Sequence, residues 1–202
     1  MEEKYTDYRE DLEDLVSSLS GLAKEIEGKN ETERFLCFLS WLNEKLERKG
    51  LGRIIVVGGF AAEIYSGRAY RTGDVDIIVL EAEKLVKAFL KRVGERGLRI
   101  YLLKFPQLSE KGIDVVAGSY DKPKKPLELK VGGRRVYIIP PEELIVSCLA
   151  AWKFWNSLED RDKAFLVYAA QKDHIETNYL RRRSQDEGVE DKFDEMIKFV
   201  EF

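Results

Sequence analysis

Asp74 and Asp76 stand two apart in and beside the β-type run Val75–Leu80. Residues two apart on a strand point to the same face. The two carboxylates are therefore side by side, while Val75 and Ile77 point the other way. Like charges so placed repel each other, and a cation between them makes the pair favourable. Carboxylate oxygens are the ligands that Mg²⁺ prefers. Upstream, the strand-like run Arg53–Val57 ends in Gly58-Gly59, ahead of a helical stretch. Glycine allows close backbone approach, and a helix start leaves N–H groups that suit phosphate. Metal and phosphate together imply phosphoryl or nucleotidyl transfer.

Nucleotidyl transfer uses two divalent ions about 3.5–4 Å apart. A third carboxylate from a neighbouring strand usually completes such a site. Asp114, in the β-type run Ile113–Val116, is the candidate, and its plainer reading is a surface strand residue. A solvated edge or turn is the plainer reading of Asp74 and Asp76, but apolar residues flank both. Arg71 has two readings: it binds a triphosphate bidentately, or it offsets the repulsion within the acidic pair. Tyr65 and Tyr70 lie near these motifs and are candidates for contacting a base, whereas Trp41, Trp152 and Trp155 read as helix-packing residues.

These residues need elements to hold them. Up to about Lys49 the chain reads as two helices. The second is capped by Asn30, with Glu33 completing a capping-box pattern and Gly50 ending it. From Leu51 the period changes, with strand-like runs at Arg53–Val57, Val75–Leu80, Arg99–Leu103 and Ile113–Val116. Helical segments fall at Phe60–Ser66 and Ala82–Glu95, an alternation that argues for an α/β core. A hairpin follows, Leu127–Val131 and Arg134–Ile139 around Gly132-Gly133. Pro140-Pro141 then opens a helix, and three or four helices run to Phe202. The organisation expected is a helical N-terminal flank over 1–50, an α/β core over 51–140 and a helical region over 141–202.

With 202 residues and 44% hydrophobic content, the chain can bury one sizeable core. No apolar run is long enough to cross a membrane, and the acidic N-terminus is unlike a signal peptide. A net charge of -3 argues against general nucleic-acid binding. Two local basic clusters, Lys122–Arg135 and Arg181–Arg183, read as RNA contacts or as solvated surface. Cys37 and Cys148 read as buried thiols of a reducing cytoplasm. The 35% charged content resembles the usage of thermophiles.

The string GGFAAEIYSGRAYRTGDVDI resembles the nucleotidyltransferase superfamily that includes DNA polymerase beta. It looks most like the small prokaryotic branch of AbiEii-type toxin nucleotidyltransferases, which carries Gly-Gly-x-Ala, an Arg, then Thr-x-Asp-hydrophobic-Asp. Gly58, Gly59, Ala61, Arg71, Thr72, Asp74 and Asp76 match that pattern. The later stretches VYIIPPEELIVSCLAAWKFW and EDRDKAFLVYAA resemble the branch's C-terminal motifs more loosely. There the lysine expected early on the first helix falls at Cys148, and an expected Asp falls at Phe165.

The resemblance implies an α+β fold, a short mixed sheet with packed helices and a C-terminal helical bundle. It implies transfer of a nucleoside monophosphate from an NTP, with Mg²⁺ or Mn²⁺ held by Asp74, Asp76 and Asp114. Gly58, Gly59, Arg71 and Thr72 would serve the nucleotide, with Lys153 or Lys163 standing in for the missing lysine. The acceptor implied is a tRNA end, a protein hydroxyl or a small molecule, and the toxin branch implies a cognate antitoxin. The alternative is a degenerate member that binds nucleotide or a partner without turnover, motivated by Cys148 and Phe165.

Overall fold

A computed structural model of the chain describes residues 8–201. Residues 1–7 of the expected N-terminal flank, and Phe202 at the end of the expected C-terminal helices, lie outside the described residues.

The serine-rich stretch ahead of Asn30 breaks what reads in the sequence as a single helix. The chain forms α1 (Arg9–Ser18), a 3₁₀ turn over Leu19–Gly21, and α2 (Leu22–Ile26). Ser18 Oγ donates to the Asp14 carbonyl at 2.7 Å, the kind of local bond by which serine competes with helix continuation. α3 (Glu31–Arg48) then starts on a full capping box. Asn30 Oδ1 accepts the Glu33 N–H, and the Glu33 carboxylate accepts the Asn30 N–H, each at 3.1 Å. Just past the helix, Gly50 turns the chain at φ +64°.

The alternating region follows as β1 (Arg53–Val56), α4 (Gly58–Tyr65), β2 (Asp74–Leu80), α5 (Glu83–Val93), β3 (Gly94–Arg96), β4 (Tyr101–Leu103), β5 (Gly112–Ala117), β6 (Leu127–Val131) and β7 (Arg134–Ile138). Among the described residues, seven strands make one sheet in the order β3-β4-β5-β2-β1-β7-β6. The sheet is mixed, as expected. β1 runs parallel to β7, with Val56 opposite Ile138, and β4 is antiparallel to β3 and β5. The helix expected to reach Glu95 stops at Val93, because Gly94–Arg96 pairs with Tyr101–Leu103. A three-residue edge strand following a helix carries too few residues to show a period of two.

Four helices close the described chain: α6 (Pro141–Trp155), α7 (Leu158–Gln171), α8 (Thr177–Asp186) and α9 (Glu190–Glu201). Pro141 sits in the first turn of α6, where a missing N–H costs nothing. α6 ends at Asn156 in the left-handed conformation, and Ser157 caps α7 by accepting the Asp160 N–H.

The fold divides into two compact units that interleave along the sequence and cut across the division by element type. One takes in the chain up to Ile54, Ile77–Tyr120 and Glu128–Val136. Its core centres on Phe38 and Trp41 of α3 and Phe89 of α5, whose rings lie 6.0–6.4 Å apart. Asn43 on α3 is fully buried and bridges two strands, accepting the Ile54 N–H at 2.8 Å and donating to the Arg135 carbonyl at 3.0 Å. The other unit takes in Ile55–Asp76, Asp121–Leu127 and the chain from Tyr137 on. α6 and α7 pack together there, with the Trp152 and Phe165 rings edge-on at 5.6 Å. Trp155 differs from its expected packing role, since it is 79% exposed at the end of α6.

Candidate active site

β1 ends at Val56, and its continuation is locked to β2 by the Val57 N–H, which donates to the Asp76 carbonyl at 3.0 Å. The next residue, Gly58, takes φ +57° to turn the strand into α4. A Cβ at Gly58 would lie 2.1 Å from Asp76 Oδ2, and one at Gly59 would lie 2.8 Å from Thr72 Oγ1. The glycine pair is therefore fixed by what it touches as well as by the turn. The Gly59 N–H donates to Asp76 Oδ2 at 3.1 Å. The sequence suggests that these glycines serve phosphate, through close backbone approach and a helix-start N–H; here both features are directed at Asp76.

β2 buries Val75 and Ile77 and leaves Asp74 and Asp76 half-exposed on its other face. The Thr72 hydroxyl donates to Asp74 Oδ1 at 2.7 Å. Thr72 is placed in turn by Glu63 on α4, a residue the sequence reading passes over. Glu63 is 0% exposed, and its Oε2 accepts the Thr72 N–H at 3.1 Å and lies 3.5 Å from Arg71 Nε. A buried carboxylate requires such partners, because desolvation without them costs several kcal/mol. The signal for it in the sequence is slight: one acid among Phe60, Ala61, Ala62 and Ile64 on a short apolar helix.

The loop between α4 and β2 is also tied to α7. Ser66 accepts the Tyr70 N–H at 3.1 Å, and the Tyr70 hydroxyl donates to Glu159 at 2.6 Å. Burial, with that bond, pushes the Tyr70 hydroxyl up to about 12. Tyr65, the other aromatic near the motif, donates to the Ile139 carbonyl at 2.7 Å and holds α4 in place. Lys163 lies over the Tyr70 ring at 5.3 Å and pairs with Asp160 and Glu159, each at 3.1 Å. Burial works against its charge, but the bond to Asp160 with Tyr70 and Glu159 raises its pKa above the ordinary lysine value. Cys148 is buried, with the charges of Asp160 and Lys163 acting on it, and burial pushes its thiol up to about 12. So α7 supplies an ammonium beside the α6 position where the resemblance expects one. Lys153 is placed elsewhere, bound to the Gly188 carbonyl at 2.8 Å and Asp191 at 2.6 Å.

Asp114 belongs to the other compact unit. It is half-buried on β5 between buried Ile113 and Val115, and Arg99 Nη2 lies 3.4 Å from it. Among the described residues no group of three or more His, Cys, Asp or Glu side chains is arranged to hold a metal ion. The basic clusters are largely paired within the molecule. Arg134 binds Glu25 and Glu44, Arg135 binds Glu47 and Glu128, and Lys124 binds Glu142 and Glu176. Arg183 is buried against Glu143 and Glu187. Cations so engaged are less available to an RNA backbone, and they pair within the surface that the other reading takes as solvated. Among the described residues no helix is long and apolar enough to cross a membrane.

Solved structures share this architecture. A nucleotidyltransferase-like antigenic protein from Paracoccidioides brasiliensis superposes with a TM-score of 0.54 at 16% identity, covering 78% of this chain and 87% of that one. This chain has the nucleotidyltransferase fold. A structure of ANT(2")-Ia in complex with adenylyl-2"-tobramycin gives a TM-score of 0.50 at 13% identity, covering 76% of this chain and 95% of that one. No family model matches the sequence, and no curated protein matches it significantly. Identities this low establish the fold alone, so the AbiEii-like branch rests on the motif residues.

Proposed function

We propose that this chain is a metal-dependent nucleotidyltransferase that moves a nucleoside monophosphate from an NTP to an acceptor hydroxyl. One arrangement carries the reading. Asp74 and Asp76 share a strand face, with the Thr72 hydroxyl on one and the Gly59 N–H on the other. They do so on a nucleotidyltransferase fold.

The donor set suits Mg²⁺ or Mn²⁺, since it consists of hard carboxylate oxygens. Mg²⁺ is commonly held by one or two carboxylates together with substrate phosphates, which is compatible with a pair of acids in place of a full protein cage. Asp74 and Asp76 would hold the ion, with Asp114 as the proposed third carboxylate. When bound, the metal supplies charge neutralisation at the transferring phosphoryl group.

The rest of the chemistry falls to the chain's own residues. The acceptor oxygen attacks the α-phosphorus, the bond from that phosphorus to the bridging oxygen breaks, and pyrophosphate leaves. Asp114 would orient the acceptor hydroxyl or take its proton as general base. Gly58 and Gly59 keep backbone against Asp76; the Gly59 N–H holds that carboxylate, and Gly58 would offer its N–H to the phosphates. Lys163 contributes a cation held charged by Asp160 and Glu159, and Arg71 contributes a guanidinium steadied by Glu63. Lys153, engaged by Gly188 and Asp191, is the weaker of the two lysine candidates. The acceptor class belongs to the same proposal: a tRNA end, a protein hydroxyl or a small molecule such as an aminoglycoside, with a cytoplasmic toxin-like role and a cognate antitoxin as its furthest extension.

The experiment is NTP binding by calorimetry with and without Mg²⁺, on the wild type and on Asp74→Asn/Asp76→Asn. Mg²⁺-dependent binding that the double variant loses is the expected result, and labelled-nucleotide transfer to each acceptor class then sorts the substrates. A wild type that binds no NTP would sink the reading. It would leave the degenerate scaffold suggested by Cys148, a buried thiol, at the expected lysine position.

A further inference from the structure

β6 is the last strand in the sheet order, so among the described residues one of its edges carries no neighbouring strand. Its sequence, Leu127-Glu128-Leu129-Lys130-Val131, reads apolar, acid, apolar, base, apolar. That order is its own complement when reversed. If two copies meet antiparallel about a two-fold axis through Leu129, Glu128 faces Lys130 of the other copy twice over. Leu127 faces Val131, and Leu129 faces itself.

The hairpin gives this register the right parity. A two-residue turn at Gly132-Gly133, with both φ values positive, makes Val131 and Arg134 the bonded pair next to the turn. In an antiparallel ladder alternate residues bond to opposite sides. Val131, Leu129 and Leu127 therefore bond inward to β7, and Glu128 and Lys130 turn their N–H and C=O groups to the open edge. In the proposed register these outward residues meet each other, which is the combination that closes hydrogen bonds between copies.

The side chains are positioned for it as well. Lys130 is exposed, and among the described residues no carboxylate pairs with it. Glu128 has a 3.4 Å contact with Arg135 and is otherwise open to solvent. Leu127 is 42% exposed, an apolar residue at the strand end with little covering it. Edge strands are templates for pairing with another chain unless something blocks them. A lone lysine is a common block, but here the same strand carries the acid that answers it at the symmetric position.

We propose that the β6 edge is an interface for a second copy of this chain, joined by antiparallel pairing of β6 with β6. The contact is a single strand of five residues, well below the area of an obligate interface, so the dimer is concentration-dependent. β6 carries none of the residues of the proposed site, and the proposal does not rest on the proposed activity.

Sedimentation over a wide range of concentration tests it. The wild type is expected to show a monomer–dimer equilibrium. Lys130→Glu places Glu opposite Glu twice and is expected to weaken association about tenfold or more, and Glu128→Lys does the same with lysines. A one-to-one mixture of the two variants restores both opposite-charge pairs and is expected to form the heterodimer that neither forms alone. Lys130→Pro removes an outward N–H while sparing the bonds to β7, and is expected to abolish the dimer. Unchanged circular dichroism and melting temperature show that each variant is folded. A wild type that sediments as a monomer throughout, a dimer indifferent to Lys130→Glu and Lys130→Pro, or a mixture that fails to associate would each overturn the proposal.

Discussion

Two glycine pairs in this chain look alike in sequence and are glycine for different reasons. Gly132 and Gly133 both have positive φ, and added Cβ atoms there would meet nothing closer than Glu25 Oε1 at 3.6 Å. They form a hairpin turn that needs left-handed backbone and little else. Gly58 also has positive φ, but both Gly58 and Gly59 press against side chains, Asp76 for the first and Thr72 for the second. A turn constrains the backbone alone, whereas the second pair constrains the backbone and the two groups it supports. The pair that abuts Asp76 and Thr72 is the one in the proposed site.

The comparison is broken most severely at Gly58. Gly58→Ala forces an L-residue into the left-handed region, at a cost of about 1–2 kcal/mol, and drives its methyl into Asp76. The expected outcome is a clearly lower melting temperature together with loss of Mg²⁺-dependent NTP binding. Retained binding at wild-type affinity would show that the close approach to Asp76 serves packing alone. Glu63→Gln comes next. It keeps an acceptor for the Thr72 N–H but removes the charge that faces Arg71, so the loss in stability should be about 1–2 kcal/mol. NTP binding should weaken with it, and calorimetry with chemical denaturation separates the two effects. Full affinity in a destabilised Glu63→Gln protein would make Glu63 a structural anchor without influence on Thr72 and Asp74.

What the sequence reveals of this molecule is what local patterning controls. The capping box at Asn30 and Glu33 is two residues at fixed spacing, and it forms as expected. β2 shows its period of two because one face is buried and the other carries Asp74 and Asp76. β3 is invisible because three residues after a helix carry no period. Glu63 is invisible for another reason: a single acid on an apolar helix reads as solvated until Arg71 and Thr72 are seen to fold over it. The choice between Lys153 and Lys163 likewise depends on which neighbours each helix face meets, Asp191 for the first and Tyr70 with Asp160 for the second. Trp155 shows the reverse error, since a tryptophan suggests a core and here stands in solvent.

A smaller effect sharpens the same contrast by acting on the loop and leaving the glycines intact. The Tyr70 hydroxyl, then Lys163, hold the Glu159 carboxyl below its ordinary value of 4.5. A carboxyl depressed in the folded state adds stability that is complete above its unfolded pKa and is lost as the pH falls through the folded one. Tyr70→Phe should therefore lower stability near neutral pH by about 0.5–1 kcal/mol, the worth of one hydrogen bond. The difference from wild type should shrink as the pH drops below 4.5, as the carboxylate that accepted the bond becomes protonated. Melting curves at several pH values measure it, and a difference that stays constant in acid would mean that the tyrosine acts through packing.

The smallest change is expected at the other glycine pair, which is why it is the useful control. Asn tolerates left-handed backbone, and Asn-Gly is the preferred pair for a two-residue hairpin turn. Gly132 stands at φ +55°, and the nearest atom to an added Cβ is at ordinary contact distance. Gly132→Asn also narrows the unfolded ensemble, which favours the folded state by a few tenths of a kcal/mol, up to about 1. Stability should stay level or rise slightly, with NTP binding unaffected. A loss comparable to that of Gly58→Ala would mean that the hairpin turn is held by contacts beyond its backbone, and the distinction between the two pairs would fall.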